Sequence, residues 1–263
     1  MGNFLNDTAA QKLGGDTYRV ELSRDWEIWG PNGGYSSAVL LRAVGMQTDK
    51  QRPISFAAQY LQVPDFGEAT VAIECVKDGK SASAYQARLI QSDKIMLQAL
   101  IWAGNSGSGP EHQLTSRPGC YVPLSDAGDR PPVGPFRFWD RLEIRQVKNS
   151  EGYYSHWYRF DPDFELSDPF VEGARSLVLV DSMPWPARYF MEDKPPMYVA
   201  PSLDLYVQFH QFNRGSRWLF CDAESTTARA GVIAGHATVW DEDGQLLASG
   251  GGQSVLRRVD KPY

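Results

Sequence analysis

The hydrophobic pattern sets in at Thr17. Residues 17–30, TYRVELSRDWEIWG, begin with apolar and polar positions in alternation and predict a strand. The next run, GPNGGYSSAVLLRAVGMQ, changes period. Tyr35, Ala38, Val39, Leu40, Leu41, Ala43 and Val44 leave almost no polar side, which predicts a helix buried on most faces and opened by glycines. Four strand-like runs follow: ISFAAQYLQV, ATVAIECVKDG, SASAYQARLI and IMLQALIWAG. The last two are separated by a short turn at Ser92-Asp93-Lys94.

The same order then repeats. GYYSHWYRF reads as a strand, and VEGARSLVLVDSM as an apolar helix starting near Glu172 and stopped by Pro184. SLDLYVQFHQF and RWLFCDAESTTA read as strands, and GVIAGHATVW and QLLASGGGQSVLRR as a hairpin turned at Asp243-Gly244. With an offset of about 150 residues, SDKIMLQAL lies over EDGQLLASG, a repeat of pattern rather than of residues. Between the halves, twelve of the 32 residues from Gly104 to Pro135 are Gly or Pro, a linker composition. The expected organisation is therefore 1–104, a linker at 105–135, and 136–263. A long helix lying across antiparallel strands, twice, is an α+β layer arrangement.

The 263 residues suffice for one large or two ordinary domains, and 42% hydrophobic with 22% charged residues marks a globular chain. A net charge of -6 argues against a nucleic-acid partner, which calls for a basic excess. Cys75, Cys120 and Cys221 lie far apart with no CxxC pair, so neither a zinc site nor a disulfide framework is expected. The N-terminal MGNFLNDTAAQKLGG lacks the pattern of a secretory signal, and no apolar run reaches the length of a membrane span. A cytoplasmic protein is the expectation.

LVLVDSMPWPARY, residues 177–189, places the carboxylate of Asp181 at the end of an apolar run, beside Pro184. Two readings stand: a turn or helix-end residue, or a carboxylate held at raised pKa for chemistry. WGPNGGY, FAAQYLQVP with KDGKS, VDSMPWPA and ESTTARAGVIAGHATVWDEDGQLLASGGGQSVLRR together resemble the double-hotdog acyl-CoA thioesterases of the bacterial type II kind. The resemblance covers nearly the whole chain. It implies two hotdog units, each a sheet wrapping its helix, packed as a pseudo-dimer, with further pairing into a homo-oligomer. It also implies a water-activating set of an Asp, a hydroxyl and a Gln, which fall on Asp181, Ser202 (a Ser where Thr is commoner) and Gln253.

The residue types suit that role. A base must take a proton as water attacks a thioester carbonyl, and a carboxylate in an apolar cleft is a better base near neutral pH. Gln and Ser can orient the water or donate to the oxyanion; equally, Gln253 reads as a sheet-edge residue and Ser202 as a strand-start cap. Asn32, Gly33 and Gly34 leave amides accessible at a helix start, for substrate or for close packing against the sheet. The first helix places Leu41 or Arg42 at the position matching Asp181, so one active site per chain is expected, at the junction of the halves.

Other chemistries lack their signatures. No GxSxG elbow and no GxGxxG follow a strand, and His112, His156, His210 and His236 never approach metal-ligand spacing. Trp26, Trp29, Trp185 and Trp218 fall near the site elements as core or as walls of an acyl tunnel. The expected activity is hydrolysis of an acyl-CoA or acyl-carrier thioester, in lipid metabolism, without metal or nucleotide cofactor. A non-catalytic acyl-thioester or lipid-binding protein and a hotdog hydratase or dehydratase are the alternatives.

Overall fold

The computed structural model describes residues 3–131, 133–160, 168–189, 198–212 and 216–259. The elements follow the repeated pattern. After a short helix α1 (Phe4–Asp7) and strand β1 (Gln11–Gly14), the first half runs β2 (Thr17–Leu22), α2 (Gly33–Gln47), β3 (Arg52–Tyr60), β4 (Gly67–Lys77), β5 (Ala82–Gln91) and β6 (Lys94–Gly104). The second half begins with β7 (Leu142–Gln146) and β8 (Tyr153–Phe160). It continues with α3 (Pro169–Ser182), α4 (Pro184–Tyr189), the short β9 (Tyr198–Val199), β10 (Asp204–Phe209), β11 (Leu219–Arg229), β12 (Val232–Trp240) and β13 (Leu246–Val255).

All pairings in the main sheet are antiparallel, in the order β1-β2-β4-β5-β6-β3-β10-β13-β12-β11-β8-β7. Either side of the β3–β10 seam the strands come in the same order, so two hotdog units share one twelve-stranded sheet. The seam pairs Asp204 with Gln59 and Tyr206 with Ala57. Each hotdog wraps its own helix. The seven apolar residues of α2 singled out by the sequence are all completely buried, and Leu177 to Val180 of α3 join them in one core with the inner faces of both sheets.

Asn32 caps α2, its side chain accepting from the Tyr35 N–H at 2.8 Å. α3 starts three residues before the expected Glu172, because Asp168 caps it and Pro169 suits its first turn. α3 ends at Ser182, just before Pro184, as expected. Pro184 opens α4, where a residue with fixed φ and no N–H costs nothing.

The segment after β6 crosses the outer face of the second half. Tyr121 packs edge-on against Trp157 and Phe220, in a second apolar cluster with Trp218 and Trp240. Trp218 therefore belongs to this outer cluster, and Trp26 to the core stacked on Tyr35; neither lines a tunnel. Among the described residues no helix is long and apolar enough to cross a membrane.

Candidate active site

The two central helices run past each other with opposite ends in contact. At one end a Cβ on Gly34 would stand 2.8 Å from Cα of Val178 and 3.0 Å from Cβ of Asp181, so only glycine permits this approach. At the other end Gly45 is filled by the ring of Phe170, which would lie 2.6 Å from a Cβ there. Since Gly45 meets Phe170 as Asp181 meets Gly34, the α2 position matching Asp181 is Gly45 rather than Leu41 or Arg42. A carboxylate stands at one crossing only.

Asp181 lies in the last turn of α3, where the helix dipole opposes a negative charge. The first turn of α2 compensates: the Gly34 N–H donates to Oδ2 of Asp181 at 2.6 Å. Oδ1 accepts from the Ser202 hydroxyl at 3.0 Å and from the Tyr60 hydroxyl at 3.4 Å. Burial outweighs these donors and pushes the carboxyl up to about 6, while Ser202, Gly34 and Tyr60 pull it back. Asp181 is therefore a buried carboxylate held between the two helices by three donors, and not a simple helix-end cap.

Ser202 precedes β10 and bridges to Ser254 of β13. Two residues on, Asp204 accepts from the Gln253 N–H at 2.8 Å, and the Leu203 N–H donates to the Gln253 carbonyl at 2.7 Å. The S-x-D spacing thereby sets the Ser202 hydroxyl against Asp181 and, through Asp204, ties the strand that carries Gln253. Gln253 lines the same cleft, and its side-chain amide makes no hydrogen bond among the described residues.

The cleft holds about 220 Å³ and is walled by Asn32, Gly33, Asp181, Ser202 and Gln253, with Trp29 and Trp185 on one side. Its mouth carries exposed Leu61, Val63 and Leu203, with Arg257 beside them. Gly34 is buried behind this wall. Asn32 also donates from Nδ2 to the Ser182 hydroxyl at 3.0 Å, pinning the residue next to Asp181. None of the four histidines lines the cleft; His156 is buried in β8, where its Nδ1 accepts from the Val147 N–H.

Sequence models of the acyl-CoA thioesterase N-terminal domain and C-terminal domain match residues 22–104 and 118–255. The chain belongs to the acyl-CoA thioesterase family. It is a thioester hydrolase. No curated protein matches it in sequence. Among solved structures it is similar to an acyl-CoA thioesterase II, TesB2, from Mycobacterium marinum, with TM-score 0.81, 16% identity, and 98% and 99% of the two chains covered. A tesB protein of Mycobacterium avium subsp. paratuberculosis superposes with TM-score 0.80 at 17% identity, covering 97% and 98%. A hot dog fold protein of unknown function from Alicyclobacillus acidocaldarius reaches 0.83 at 18% identity, covering 99% and 98%.

In this thioesterase the sequence reading missed Tyr60. Its hydroxyl stands between Asp181 and Ser37, 2.7 Å from Ser37 Oγ. Burial, reinforced by the charge of Asp181, holds the phenol well above its ordinary pKa, so it stays protonated. A tyrosine closing an apolar strand reads as core; only the fold sets it opposite a carboxylate. FAAQYLQVP, where it lies, was singled out by the resemblance but not by any chemical signal.

Proposed function

We propose that the enzyme hydrolyses acyl-CoA thioesters with Asp181 as general base. The observation that carries this reading is one carboxylate, raised to about 6, receiving three donors at the floor of a cleft. Water sits between Asp181, Ser202 and Gln253, and the thioester carbonyl lies against the first turn of α2. As the water oxygen bonds to the carbonyl carbon, its proton passes to Asp181. The N–H of Gly33, a first-turn residue lining the cleft, donates to the oxyanion, while that of Gly34 serves Asp181. Collapse breaks the C–S bond, and the proton on Asp181 goes to the leaving thiolate.

The substrate's carrier end leaves by the mouth, where Leu61, Val63 and Leu203 suit a pantetheine chain and Arg257 a phosphate. A dehydratase would want a histidine beside the aspartate, and the cleft has none. A second copy would pair through the outer face near the seam, where Tyr206 and Leu100 are exposed. Light scattering at micromolar concentration is expected to report a dimer.

Thiol release from acyl-CoA by the wild type, set against Asp181→Asn, tests the proposal. The variant is expected to lose about 10²–10⁴-fold in kcat while still binding substrate. Saturable acyl-CoA binding with no thiol release by the wild type would favour the non-catalytic alternative instead.

A further inference from the structure

Behind the cleft lies a second, smaller cavity that shares Ile28, Trp29, Ser182 and Trp185 with it. Its remaining walls are largely aromatic. Phe138 and Trp139, both buried, close one side, and Phe136 and Tyr189 flank Trp29 and Trp185. The rings meet edge to face: Trp29 with Phe136 at 5.8 Å and 87°, Trp29 with Trp185 at 6.3 Å and 85°, Phe138 with Trp139 at 5.1 Å and 80°. An aromatic wall of this kind offers edges and faces on which a further ring can pack.

We infer that this cavity takes the acyl group of the substrate, and that the enzyme selects compact acyl thioesters, a phenyl-bearing acyl group above all, over long straight chains. The inference rests on the proposed role of Asp181. With the carbonyl carbon beside that carboxylate, the two arms of the thioester must diverge. The large, charged carrier arm has only the open mouth at Leu61, Leu203 and Arg257. The acyl arm is left with the aromatic cavity past Trp29 and Trp185.

The size follows from the volume. The cavity holds about 60 Å³. That is far less than the 220 Å³ of the adjoining cleft, so the cavity favours a ring or a short branched chain over a long straight one.

Part of the wall comes from the segment between the halves, through Val133 and Gly134. A Cβ on Gly134 would stand 3.4 Å from both Phe136 and Trp139, ordinary contact, so Gly134→Ala adds a methyl group without forcing the chain apart. Phe136 is only half-buried, and Phe136→Ala removes a wall without opening the core.

The test is kcat/KM for butyryl-, isovaleryl-, phenylacetyl-, octanoyl- and palmitoyl-CoA with the wild type and both variants. The wild type is expected to favour phenylacetyl over palmitoyl by at least about tenfold. Gly134→Ala is expected to cost phenylacetyl about tenfold and spare butyryl, and Phe136→Ala to raise the octanoyl-to-phenylacetyl ratio about tenfold, one methylene in an apolar pocket being worth 10–200-fold. Preference for palmitoyl, unmoved by either variant, would overturn the pocket assignment and leave the hydrolytic reading intact. If no thioester is cleaved, that reading fails, and calorimetry with non-cleavable thioether analogues decides the pocket alone. Tighter binding of the phenylacetyl analogue supports it, and tighter binding of the palmitoyl analogue refutes it.

Discussion

The backbone N–H of Gly34, in the first turn of α2, donates to Oδ2 of Asp181, in the last turn of α3, at 2.6 Å. The carboxylate comes from one hotdog and the amide that steadies it from the other. Neither half contains the site. The contact exists because the glycine lets the helices approach until a Cβ would touch Val178.

Gly34→Ala and Gly33→Ala should therefore fail differently. At Gly34 the methyl meets backbone and must spread the helices, at about 1–3 kcal/mol. Calorimetry is expected to show Tm lowered by a few degrees. At Gly33 the methyl would lie 3.1 Å from Oδ2 of Asp181 and 3.3 Å from Ser202 Oγ, side-chain ends that can shift. Tm should hold while kcat falls, because the methyl occupies the space of the attacking water. Equal Tm for the two variants would contradict this geometry.

The pH dependence follows from the raised carboxyl. Thiol release is expected to rise with pH through an apparent pKa of about 6 as Asp181 ionises, and to level off above it. A profile flat from pH 5 to 8 would place the titrating base elsewhere.

Stability should run the other way. In the unfolded chain Asp181 titrates near 3.8, so between about pH 4 and 6 the folded state holds a proton that the unfolded state has lost. Stability owed to this group falls as pH rises through that window, by about 3 kcal/mol in all, and is constant beyond it. Asp181→Asn removes the charge, and the Ser202 and Tyr60 hydroxyls can turn to accept from its amide. Denaturant unfolding is expected to find the variant more stable than the wild type at pH 8 and similar at pH 4.

Ser202→Ala and Tyr60→Phe each remove a donor that favours the ionised carboxylate. Both should move the midpoint of the rate profile upward, Ser202→Ala further, since its bond is the shorter. Because Ser202 also helps to hold the attacking water in the proposed mechanism, a loss of about 100-fold in kcat is expected for Ser202→Ala. A downward shift of either midpoint would show that the hydroxyl does not donate to Asp181.

The repeat was legible because each half keeps its own periodicity: the apolar α2 run from Tyr35 to Val44 and the alternating strands after it need no distant partner to be recognised. Asp181 stood out because a carboxylate closing an apolar run is a local anomaly, and Ser202 and Gln253 were reached through resemblance. Tyr60 and the Gly34 amide were not legible as partners of Asp181, since each satisfies an ordinary local rule as well. Strands β1 and β7 at the sheet edges escaped because four and five residues are too few for a strand pattern to stand out from the flanking loops. The aromatic cavity joins Trp29, Phe136 and Trp185, which lie in three segments that only the tertiary fold assembles.

The central claim is that Asp181 activates water and does not itself carry the acyl group. A single turnover with excess enzyme in ¹⁸O-labelled water, followed by mass spectrometry of the acid and of the peptide containing Asp181, separates the two routes. A general base leaves the label in the acid alone, and that is the expected result. Label in the peptide bearing Asp181 would mean that a mixed anhydride forms on the carboxylate, and would contradict the account.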